Sequence, residues 1–246
     1  MKWLWIVAVL LSPVALSAQE IPSGTILPVE LRSGINSAKM KAGEAISARL
    51  AQDVHLPNGW KIHAGAKVFG HIVESKAASD GSEATLSLRF DRVVVSHRSI
   101  TIASNLRAVA SPMEVWDAQI PLTGPDRGTP ENAWTTVQVG GDEVVYRGGG
   151  PLAKGMTAVG EPTYHGVLAR TTACRGTEID NQPQSLWVFS SDACGAYGLR
   201  NLAILHAGRT EPVGQIVLAA KEGEVKLDKG SGLLLRVRNA RGGVRD

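Results

Sequence analysis

Apolar and polar positions alternate with a period of two over ATLSLRFDRVVV (84–95). Leu86, Leu88 and Phe90 fall on one side, and Thr85, Ser87, Arg89 and Asp91 on the other. That spacing predicts a half-buried strand. SITIAS (99–104) repeats the pattern through Ile100 and Ile102, and the SHR between the two runs (96–98) predicts a hairpin turn. AISARL (45–50) places Ile46, Ala48 and Leu50 on one face. TILPVEL (25–31) is a shorter strand candidate, which Pro28 pushes towards a sheet edge. In KIHAGAKVFGHIVES (61–75), Gly65 reads as the turn that starts a strand. Gly70, inside that strand, marks a bend or a close backbone approach. Asn58-Gly59 and Asp80-Gly81 are turn signals.

The pattern lapses over SPMEVWDAQIPLTGPDRGTPENAW (111–134), where prolines stand at 112, 121, 125 and 130. This stretch reads as a linker or long surface loop. Beyond it, WTTVQVGGDEVVYR (134–147) predicts a hairpin turning at 140–142. Shorter strand candidates follow at 166–171, 185–191, 214–220, 223–228 and 232–238. RNLAILH (200–206) fits either a strand or a turn or two of helix. The expected fold is mainly β. A small barrel or sandwich over 21–111 is joined by a Pro-rich segment (112–133) to a second β-rich, disulfide-pinned half (134–238) with a short tail (239–246).

Length and composition fit that picture: 246 residues, 43% hydrophobic, with 27 Gly and 12 Pro. Together they favour strands and turns over long helices. The first 18 residues differ. Lys2, the apolar run from Trp3 to Leu11, Pro13, and the small residues Ala15, Ser17 and Ala18 have the layout of a secretory signal peptide, cleaved after Ser17 or Ala18. A retained membrane anchor is the alternative. The apolar stretch is about 16 residues and holds a proline, whereas a spanning helix needs roughly 20. The mature chain is expected to be periplasmic or secreted, with no transmembrane segment.

Charge excludes one class of partner. The whole chain carries +3. Residues 21–112 carry +4 (11 basic, 7 acidic) and residues 113–246 carry −1 (14 basic, 15 acidic). Neither region has the one-sided basic field that nucleic-acid binding requires. The basic end, RVRNARGGVRD, reads as a solvated tail.

Candidate chemistry is sparse. Cys174 and Cys194 predict one disulfide in an exported chain. It would close a loop of about 20 residues and contribute roughly 3 kcal/mol in the chain-entropy model. SSDACGAYG (190–198) gathers Ser190, Ser191, Asp192 and Cys194, with His165 and His206 elsewhere for a base, but it lacks the nucleophile-elbow pattern. A disulfide-pinned turn is the plainer reading. His55, His63 and His71 recur every eight residues across two turns, without the ligand spacing of a zinc site. The acids Asp80, Glu83, Asp126 and Glu131 match no calcium loop. No metal or other cofactor is expected. Trp187, within LWVF, reads as core. Trp116 and Trp134 flank the Pro-rich segment and are the candidate ligand anchors.

Several of these features occur together in a known order. Gly24-Thr25 opens an alternating run, and the INS triplet (35–37) follows. Gly43 then precedes AISARL, Gly65 to Gly70 starts a strand, and the 84–95 strand, a turn and a T-I strand complete the series. Over residues 21–111 this series resembles the periplasmic barrel domain of TrbI-like proteins of conjugation and type IV secretion machines. The resemblance implies a barrel fold and an envelope setting. It does not carry over a secretion role, because that family's anchor, Pro-rich linker and apolar helical hairpin have no counterpart here. The leading expectation is a non-catalytic, exported cell-envelope protein acting through protein contacts. A glycan- or peptidoglycan-binding module using Trp116 and Trp134 is the alternative, and a serine hydrolase centred on Ser190 or Ser191 is the third.

Overall fold

The structure is a computed structural model. It describes residues 20–79, 81–119, 136–140, 143–146, 152–154, 157–160, 187–189, 193–199 and 201–238. The first strands are β1 (Ile26–Leu31), β2 (Ile35–Asn36), β3 (Ala45–Leu50), β4 (Val54–His55) and β5 (Lys61–Ile62). They are followed by β6 (Lys67–Lys76), β7 (Ala84–Val95), β8 (Arg98–Thr101), β9 (Ala103–Ala110) and the helix α1 (Pro112–Gln119). Next come β10 (Thr136–Gly140), β11 (Glu143–Tyr146), β12 (Leu152–Lys154) and β13 (Thr157–Gly160). The chain returns through β14 (Gly195–Tyr197), β15 (Leu202–Ala207), β16 (Ile216–Ala220), β17 (Lys226–Leu227) and β18 (Gly232–Arg238).

Ten strands form one sheet in the order β14-β9-β18-β1-β3-β6-β7-β16-β15, with β8 added to β7. The sheet curls into a nearly closed barrel. The Ile102 amide donates to the Asp91 carbonyl (2.8 Å), and Ser104 Oγ donates to the Phe90 carbonyl (3.1 Å), so the start of β9 meets β7 directly. Strands β14, β15 and β16 fill the wedge that remains between them. Inside, β1 supplies Leu27, Val29 and Leu31, β3 supplies Ile46 and Leu50, and β7 supplies Leu86, Leu88 and Phe90. Ile72, Leu218, Leu233 and Leu235 complete a single core, and every one of these side chains is at most 1% exposed. The alternation in 84–95 therefore points inward as expected. Its polar face is less open than expected: Ser87 is buried and Arg89 half-buried.

The division into two successive halves is not how the sheet is built. Strand β18, from the far end of the chain, lies between β1 and β9, and β16 pairs with β7. Ile26–Glu30 of β1 would otherwise be an unpaired edge, and Leu233–Leu235 of β18 would lack an apolar face to cover. Each end of the chain completes the other. The strands β10–β13 form a separate four-stranded sheet within the excursion between α1 and residue 187.

Pro112–Gln119 is also not a linker but a helix. Ser111 is its N-cap, with Oγ accepting from the Glu114 amide (3.3 Å), and Pro112 takes the first helical position, where no N–H is needed. Strand β9 runs to Ala110, six residues beyond the alternation read through Ser104. It is buried on both faces: Leu106 and Val109 face the barrel core, while Ala108 and Ala110 face an outer layer.

Two glycines act as the sequence suggests. Gly65 sits at φ +83° in the turn before β6, with its amide donating to the Leu50 carbonyl (2.8 Å). A Cβ on Gly70 would lie 1.8 Å from the Arg89 carbonyl oxygen, at a register shift between β6 and β7, so only glycine permits that approach. The 96–98 hairpin turn forms with Ser96 and His97 both at positive φ (48° and 67°), between paired Val95 and Arg98. That is the hand of two-residue turn that matches strand twist.

Candidate functional site

With its interior filled by side chains, the barrel offers its outer surface for contacts. One part of that surface is itself covered. Ala108 and Ala110 of β9 and Leu234 of β18 form a second apolar cluster with Val115 and Ala118 of α1 and with Val188, Phe189 and Ala193. Small residues on the strands let the covering layer approach closely. A Cβ on Gly232 would meet Trp187 Cζ3 at 2.8 Å and Val115 Cγ2 at 2.9 Å.

Val115 and Ala118, three apart, fix the inner face of α1. Met113 and Trp116, also three apart, therefore share the outer face, and they are 65% and 61% exposed. Leu205 on β15, at 61%, is the third large exposed apolar side chain among the described residues. A capped helix pinned through its inner face holds Met113 and Trp116 in solvent as an exposed apolar pair. Trp116 was legible as a candidate from its place in the sequence. Met113 was missed, although the run Ser111-Pro112-Met113-Glu114 carries the signal for it: a cap, a helix-starting proline and an acid at the third position.

The other sequence-derived candidates are placed as follows. Trp134 lies outside the described residues. Trp187 packs on Gly232 and edge-to-face on Phe189 (centroids 6.3 Å apart). Its backbone is at φ +58°, and its amide donates to Gln52 Oε1 (2.6 Å). Cys194 is 8% exposed, and no free cysteine occurs among the described residues; Cys174 lies outside them. The Tyr197 hydroxyl accepts from the Cys194 amide and donates to the Cys194 carbonyl, both at 2.9 Å. Ser190, Ser191, Asp192 and His165 lie outside the described residues. His206, on β15, has its Nδ1 2.7 Å from the Gln215 carbonyl, across the turn to β16.

The three evenly spaced histidines do not converge. His63 Nδ1 is 3.7 Å from Asp53, His71 Nδ1 is 2.8 Å from Asp91, and His55 stands on β4. Among the described residues no three metal-ligating side chains gather. Among the described residues Asp53 is the one strongly shifted acid. The Ala64 amide donates to Oδ1 (2.8 Å) and Lys61 Nζ lies 2.9 Å from Oδ2, and these hold its carboxyl down at about 2. Asp53 therefore ties the β4–β5 hairpin to the chain beyond it. Arg92 of β7 lies over the ring of Phe69, its partner on β6 (4.9 Å to the centroid). Asp80 and the acids at 126 and 131 lie outside the described residues, and among those residues no helix is long and apolar enough to cross a membrane.

No protein-family model matches the chain, and comparison with curated proteins and with solved structures returns no significant similarity.

Proposed function

We propose that this is an exported, non-catalytic cell-envelope β-protein that acts through protein contacts, and that the Met113–Trp116 face of α1 makes them. The observation that carries this reading is the exposure of both side chains on a helix whose opposite face is anchored to the barrel. Aromatic residues and methionine are enriched where proteins meet, and methionine adapts to varied partner surfaces. A sugar platform, in contrast, pairs its tryptophan with hydrogen-bonding groups, and Trp116 has Met113 beside it. The charged start, apolar run and small-residue site at 1–18 support export to the periplasm or beyond. They also support a Cys174–Cys194 disulfide, because an exported chain meets an oxidising compartment. The TrbI-like resemblance over 21–111 supports the envelope setting.

Site-specific photo-cross-linking tests the reading. With a photo-reactive phenylalanine at exposed position 119, the protein in envelope fractions should give a discrete protein adduct that Trp116→Ala removes. Retention on peptidoglycan that depends on Trp116, without a protein adduct, would establish the glycan-binding alternative instead.

A further inference from the structure

We propose that Met113 is an oxidation site that sets the polarity of the α1 face: a hydroperoxide converts its thioether to the sulfoxide, and the contact made jointly with Trp116 weakens. The chemistry stands on exposure. Met113 is 65% exposed at the second position of α1, whereas Met40 is partly buried against the barrel core; Met1 and Met156 lie outside the described residues. Thioether oxidation needs the sulfur lone pair to reach the oxidant, so the open residue reacts first. In the step, sulfur attacks one peroxide oxygen and the O–O bond breaks. An S–O bond forms, and the other oxygen leaves and takes the proton of the transferred hydroxyl, giving water from hydrogen peroxide or an alcohol from an organic hydroperoxide. Sulfur loses two electrons and the peroxide gains them.

The product is polar and chiral where the thioether was apolar and flexible, and reductases restore it. Its position is what gives it an effect. Met113 and Trp116 lie one helical turn apart on the same outer face, so a sulfoxide places a strong hydrogen-bond acceptor and its water beside the indole. The consequence for contacts rests on the reading of this face given above; the selectivity of oxidation does not.

The test treats the purified mature protein with graded hydrogen peroxide and maps its methionines by mass. The Met113 peptide should gain about 16 Da at lower peroxide than the Met40 peptide. On a hydrophobic-interaction column the treated wild type should elute earlier, and Met113→Leu, an exposed change that leaves the fold intact, should not shift. Oxidation of Met40 at equal or lower peroxide, or an equal shift in Met113→Leu, overturns the proposal. Cross-linking from position 119 separates the two readings. Loss of the adduct from treated wild type, and its return after methionine sulfoxide reductase, supports the switch. An adduct that survives treatment refutes the switch and leaves the contact face standing. An adduct missing from untreated protein removes the contact reading itself.

Discussion

The inside of the barrel and the layer over β9 and β18 are held by different physics. Inside, large aliphatic side chains from the barrel strands interlock, and period-two alternation, reset at register shifts, decides which of them point in. Outside, the strands contribute mostly small residues, Ala108, Ala110 and Gly232 beside Leu234, and Val115, Trp187 and Phe189 of the covering layer contribute the bulk. The interior is specified by what each strand carries. The outer layer is specified by what the strands leave out, together with the cap that starts α1. A region fixed by absent side chains can present groups such as Met113 and Trp116 without weakening the core beneath it.

The contrast predicts a graded series of effects. Leu88→Ala empties part of the packed interior and should lower stability by about 2–5 kcal/mol in denaturant titrations. Gly232→Ala acts on the outer layer, where the added methyl meets Trp187 and Val115. It should lower stability by about 1–3 kcal/mol and alter the near-ultraviolet circular dichroism of Trp187. Were the two substitutions to leave the tryptophan signal equally disturbed, the separation of the layers would fail. Ser111→Ala removes the cap and should lower stability by about 0.5–2 kcal/mol, with Ser111→Asp restoring most of it.

Smaller still is the response at the hairpin side of the barrel. The Asp53 carboxyl is depressed in the folded state to about 2 from an ordinary value of 3.8. Its contribution is therefore fully present above that ordinary value and is lost as pH falls from about 4 towards 2. Asp53→Asn should flatten the acid limb of stability in that window and change little at neutral pH, as read from melting temperature against pH. Trp116→Ala should have the smallest effect, within about 0.5 kcal/mol, because its ring faces solvent.

The same contrast explains how far the sequence could be read. Strands β3, β6 and β7, the turns at Gly65 and 96–98, and the close approach at Gly70 are visible because each obeys a local rule of alternation or turn chemistry. What stays hidden is pairing between distant segments. Nothing in Leu233–Leu235 says that it lies beside β1. Ser37 shows the same limit: its Oγ accepts from the Val225 amide (3.0 Å) and donates to Glu224, while its carbonyl accepts from Ser75 Oγ (2.8 Å). The INS triplet marks that clasp, but its partners lie up to 188 residues away. Strand β9 escaped detection because Asn105 and Arg107 interrupt an apolar run that is buried on both faces. Four prolines between 112 and 130 made a linker out of a segment whose first proline starts a helix. At the candidate site, one of the two exposed side chains was legible, and its neighbour depended on recognising that helix.

Photo-cross-linking from two positions, in otherwise identical protein expressed in cells, tests the central claim most directly. Position 119 ends α1, and exposed Lys67 on β6 lies three strands round the sheet from β18. The account predicts a discrete adduct from position 119 that disappears with Trp116→Ala at unchanged melting temperature, and none from position 67. Equal adducts from both positions, or an adduct at 119 indifferent to Trp116, would contradict it.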